Sequence, residues 1–69
     1  MSKIDYQLIL LKDGKTVEIP NMQKVFFSES ALKDCVRHAS LILLKYSVTH
    51  YEIIEHRETF TSKGIFKFG

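Results

Sequence analysis

The chain has 69 residues, of which 45% are hydrophobic and 26% charged, and its net charge is +2. These values describe one small globular domain, residues 1–69, and exclude a disordered chain. No apolar run exceeds four residues (8–11 and 41–44), far short of the roughly 20 that a membrane-spanning helix needs.

Residues 4–11 alternate. Ile4, Tyr6, Leu8 and Leu10 share one face, and Asp5, Gln7, Ile9 and Leu11 share the other, which predicts a strand. Asp13-Gly14 follows, a pair suited to the two positive φ values of a type I′ hairpin turn. A two-residue loop there sets Lys12 opposite Lys15, Leu10 opposite Val17 and Leu8 opposite Ile19. The apolar faces of both strands then coincide. Pro20 cannot donate to a ladder, so it ends the second strand.

Residues 21–27 read either as a short strand or as an extended lead into the next element. Ser28 has the chemistry of a helix N-cap. Phe27 and Leu32 sit where a hydrophobic staple would join them. Leu32, Cys35, Val36, Ala39, Ile42, Leu43 and Tyr46 recur at helical spacing, opposite Lys33, Arg37 and Ser40. The pattern predicts one amphipathic helix over residues 29–46, about five turns long.

Residues 48–57 are rich in β-branched and aromatic side chains and predict a strand. Ser62-Lys63-Gly64 reads as a turn before a last strand over residues 65–68. The expected architecture is α+β: a small antiparallel sheet of two hairpins packed on one long helix, in the order ββ(β)αββ. Two features exceed what so small a core requires. Ile9 and Leu11 lie on the outer face of the first strand, and Leu41 and Leu44 lie on the outer side of the helix.

Cys35, His38, His50 and His56 have residue types that bind zinc. Their placement argues against a site. Cys35 falls on the apolar helix face, and His50 and His56 are roughly 20 Å apart along an unbent strand. We therefore expect no metal and no cofactor. His50, Glu52, Ile54 and His56 alternate on one strand face, which reads as a solvated surface. The chain has no Gly-rich phosphate loop and no nucleophile elbow, so the expectation is a protein that is not an enzyme.

A single cysteine and the absence of an export-signal pattern point to a reducing cytoplasm, or a host's cytoplasm if the protein is phage-encoded. The general style is that of short accessory proteins from phages and mobile elements, although no motif carries that impression. The leading expectation is a protein-binding module that inhibits or modulates a larger partner, or pairs with itself as a homodimer. Its expected contacts are Ile9, Leu41 and Leu44 as apolar anchors, with Tyr51 and Arg57 beside them, since Tyr and Arg are common interface hot spots. The alternative is a small nucleic-acid binder using Lys12, Lys15, Lys63 and Lys67. Acidic residues interleave with these lysines, so no clustered basic footprint supports it.

Overall fold

The computed structural model of the chain describes residues 4–68, and its first element is the alternating segment, β1 (Ile4–Lys12). Asp13 and Gly14 have φ values of 49° and 83°, as a two-residue I′ turn requires. The chain returns as β2 (Lys15–Val17), with Lys12 opposite Lys15 and Leu10 opposite Val17, as the turn chemistry predicts. The ladder stops there, so Leu8 and Ile19 are not paired. The Leu8 N–H donates instead to the Lys24 carbonyl at 2.8 Å. Ile19 still enters the core, at 5% exposure.

The ambiguous stretch contains a strand, β3 (Val25–Phe26), which pairs with Tyr6 and Gln7 of β1. Ser28 caps α1 (Glu29–His38): its Oγ accepts from the Ala31 N–H at 3.1 Å. The staple does not form as expected. Phe27 is 83% exposed, and Phe26, facing the other way, is the buried aromatic.

The single long helix is also corrected. It breaks at Ala39 (φ −91°, ψ 12°) into α1 and α2 (Ser40–Lys45). The Ala39 N–H still reaches the Cys35 carbonyl, and the Leu43 N–H reaches the Ala39 carbonyl, both at 2.9 Å. The break therefore leaves few backbone groups unpaired and needs neither Gly nor Pro. The apolar stripe is narrower than its spacing predicts. Leu32, Val36 and Leu43 are buried, Cys35 and Ala39 are half-buried, and Ile42 and Tyr46 are exposed. Burial needs an opposing surface, and the small sheet supplies one only to the centre of the stripe.

Ser47 ends α2 in the left-handed region, at φ 60°. Its N–H donates to Leu44 O and the Val48 N–H to Leu43 O, both at 3.0 Å. This is a Schellman cap, and its accompanying apolar contact joins Val48 to Leu43 within the core.

β4 (His50–Arg57) follows, then β5 (Thr61–Lys67). The expected turn at Ser62-Lys63-Gly64 is therefore corrected as well. Those residues are strand, with Gly64 opposite Ile53, and the reversal lies at residues 58–59, where the Arg57 N–H meets the Phe60 carbonyl at 2.8 Å. A Cβ at Gly64 would lie 3.2 Å from the Phe66 ring, so the ring would have to give by a few tenths of an ångström to admit one.

All pairings are antiparallel, in the order β2-β1-β4-β5, and β3 shares the β1 edge with β2. The α+β class and the antiparallel sheet are as expected. Leu8, Leu10, Phe26, Ile53, Leu32, Val36 and Leu43 form the core between the sheet and the helices.

Candidate interaction surface

The sheet registers sort the strand residues into two faces. Tyr6, Leu8 and Leu10 pair with Glu55, Ile53 and Tyr51, and this row faces the helices. Asp5, Gln7, Ile9 and Leu11 pair with His56, Ile54, Glu52 and His50 on the outer face. Thr61, Lys63, Ile65 and Lys67 extend that outer face across β5. Ile54 is only 8% exposed even there, because Gln7 and Lys63 flank it in register.

The largest concentration of exposed apolar side chains lies on α2 and its cap. Leu41 is 79% exposed, Leu44 62%, Ile42 48% and Tyr46 37%. Leu43 alone among residues 41–46 is buried. The local cause is the length of α2. Its single inward residue anchors it, and the Schellman cap turns the chain into β4 directly afterwards. Leu41 and Leu44 were identifiable because they fall outside the 3.6-residue stripe. Ile42 and Tyr46 fall inside it, so their exposure follows only from the fold.

The remaining sequence-predicted contacts do not gather around α2. Ile9 is half-buried on the outer face, across the sheet from the helices. Tyr51 is on the helix side and half-buried, with its ring stacked on Phe66 at 5.6 Å between centroids. Arg57 is exposed at the end of β4, where its Nε donates to Glu55 Oε1 at 2.8 Å and its guanidinium lies 5.5 Å from the centre of the Phe60 ring.

The four lysines divide as well. Lys12 and Lys15 flank the β1–β2 turn in the row of Leu10 and Val17, which faces the helices. Lys63 and Lys67 lie in the outer-face row, opposite Ile54 and His50. The zinc-type residues are similarly dispersed. Cys35 and His38 are on α1, while His50 and His56 stand at opposite ends of the outer face of β4. Among the described residues no three metal-binding side chains come together.

A shallow groove of about 270 Å³ runs beside β5 on the helix side, lined by Tyr6, Glu29, Ile53, Glu55, Gly64 and Phe66. Two of its ionisable groups, Glu55 and Tyr6, are shifted further from pH 7. The hydrogen bond from Arg57 keeps Glu55 below the usual carboxylate value. Desolvation, with Glu55 beside it, raises the Tyr6 hydroxyl above its usual value. A carboxylate that stays ionised and a phenol that stays protonated are poorly matched to acid–base work near pH 7.

No family model, curated protein or solved structure matches this chain.

Proposed function

We propose that this protein is a small non-enzymatic binding module that docks a larger protein through α2 and acts on it as an inhibitor or modulator. The observation that carries this reading is the exposure of Leu41, Ile42, Leu44 and Tyr46 within six consecutive residues. Fully burying a side chain of this size is worth roughly 1.5–3 kcal/mol, and contiguous exposed apolar surface marks interaction sites. The adjacent Lys45 is exposed and supplies a polar rim. The groove chemistry supports the non-enzymatic half of the reading. The nucleic-acid alternative has less support, because its lysines are divided between the two faces of the sheet.

The test is affinity capture from lysate of the source cells, with and without nuclease, using the parent chain and the Leu41→Asp/Leu44→Asp double variant. Both side chains are mostly in water, so the variant should unfold at nearly the parent's denaturant midpoint. It should also lose a protein that the parent retains after nuclease treatment. Equal capture by both chains removes α2 as the docking surface. Capture that disappears with nuclease supports the lysine alternative.

A further inference from the structure

The sheet has one long open edge. On the β1 side the exposed edge is broken into pieces of three and two residues, β2 and β3. On the other side β5 runs for seven residues, and among the described residues no strand pairs with its far edge.

The backbone groups on that edge can be assigned. The Arg57 N–H donates to Phe60 O at 2.8 Å, and the Phe68 N–H to Thr49 O at 2.9 Å. These pairs bracket the β4–β5 ladder, in which bonded and non-bonded pairs alternate. Ser62, Gly64 and Phe66 therefore turn their N–H and C=O groups to β4. Thr61, Lys63, Ile65 and Lys67 turn theirs to the open side.

We infer that β5 pairs antiparallel with β5 of a second copy of this chain, joining the two sheets across a twofold axis at Gly64. A copy can bond only where outward residues meet outward residues. The register that overlaps the whole strand sets Lys63 opposite the partner's Ile65 and Thr61 opposite the partner's Lys67. Sliding by one hydrogen-bond repeat sets Lys63 opposite either the partner's Lys63 or the partner's Lys67, and directly opposed like charges are unfavourable. Lys12 and Lys15 do face each other elsewhere in the chain, but at an exposed hairpin tip. At position 63 strands would confine them on both sides.

The side chains fit the same register. Gly64 places no side chain at the axis, and the Phe66 ring already lies over it. Ile65, 61% exposed, becomes the diagonal neighbour of the partner's Ile65 on the outer face. The strand is thus self-complementary in one register, which selects a copy over an unrelated strand. A seven-residue edge buries less than the roughly 1,200–2,000 Å² of stable complexes, so the dimer is weak and concentration-dependent. It does not depend on the docking reading above.

Sedimentation equilibrium on the full chain, from about 10 μM to about 1 mM, tests the inference together with amide exchange at both ends of that range. The expected result is reversible dimerisation, with protection of the Lys63 and Ile65 amides rising with concentration. The Ser62 and Gly64 amides, bonded within one chain, should be protected throughout. Thr61→Lys should weaken the dimer roughly tenfold, because it faces the partner's Lys67 twice by symmetry and has no acidic residue opposite it on β4. Thr61→Glu should preserve or tighten it for the converse reason. A monomer at every concentration overturns the inference. So does concentration-dependent protection confined to α2, or equal weakening by both variants.

Discussion

Ser47 holds the least favourable backbone conformation at the end of α2. Its φ of 60° is needed so that two N–H groups can turn back onto the Leu43 and Leu44 carbonyls. A residue with a Cβ is disfavoured there by about 1–2 kcal/mol, and Gly is the usual occupant of this position. The sequence has no Gly between residues 14 and 64, so the helix end carries no local mark of its cap. Ser47 is exposed and is not a core residue. Ser47→Gly should therefore relieve strain without losing packing. We expect a gain of about 0.5–1 kcal/mol, after the greater freedom of Gly in the unfolded chain offsets part of the relief. In a domain of this size that corresponds to a rise in Tm of roughly 2–8 °C, read from thermal unfolding by circular dichroism. An unchanged or lowered Tm would contradict the strained cap.

Elements were legible where their cause was local. The first hairpin follows from Asp13-Gly14 and period-two alternation, and its register is the expected one as far as Val17. Ser28 announces α1 through its own hydroxyl. The second hairpin was misplaced because Ser62-Lys63-Gly64 has turn composition, whereas Gly64 is a strand residue beneath the Phe66 ring. That reason depends on a partner two residues along the strand and on Ile53 across it. The break at Ala39 had no signal, since hydrogen bonds bridge it and no side chain caps α2. Its consequence can be measured. Periodicity alone places Ile42 and Leu43 together on the buried stripe, whereas Leu43 is 0% exposed and Ile42 48%. Leu43→Ala should cost about 2–5 kcal/mol by opening a cavity under the cap. Ile42→Ala should cost less than about 1 kcal/mol, because half of that side chain is already in water. Urea unfolding of the two variants compares them directly, and equal losses would restore the unbroken stripe.

Across the whole molecule, the sheet separates surfaces that lie close in sequence pattern. Ile9 belongs to one side and Leu41 and Leu44 to the other, so the apolar surplus legible in the sequence is two surfaces. Which residues share a side depends on strand order, which alternation does not encode. The shifted ionisable groups lie on the helix side, with Tyr6 opposite Glu55 in the β1–β4 register and Cys35 on α1, and together they shape the response to pH. Glu55, paired with Arg57 at the end of β4, is held below its ordinary value. Its contribution is present above about pH 4.3 and is lost as pH falls through the folded value. Burial raises the Cys35 thiol on α1, and desolvation raises Tyr6 on β1. Their contributions are complete below about pH 8.5 and pH 10 respectively, and are lost as pH rises towards the folded values. Lys33, raised by its hydrogen bond to Glu29, adds to the loss above about pH 10.4. Stability should therefore fall as pH drops below about 4.3 and again as it rises above about 8.5. Cys35→Ala separates the alkaline causes, since it removes the thiol and leaves Tyr6 and Lys33. Its urea midpoint should hold level to about pH 10, while the parent's begins to decline near pH 8.5. If both chains decline together, the thiol is as free to ionise in the folded protein as in the unfolded one, and its burial against the core is refuted.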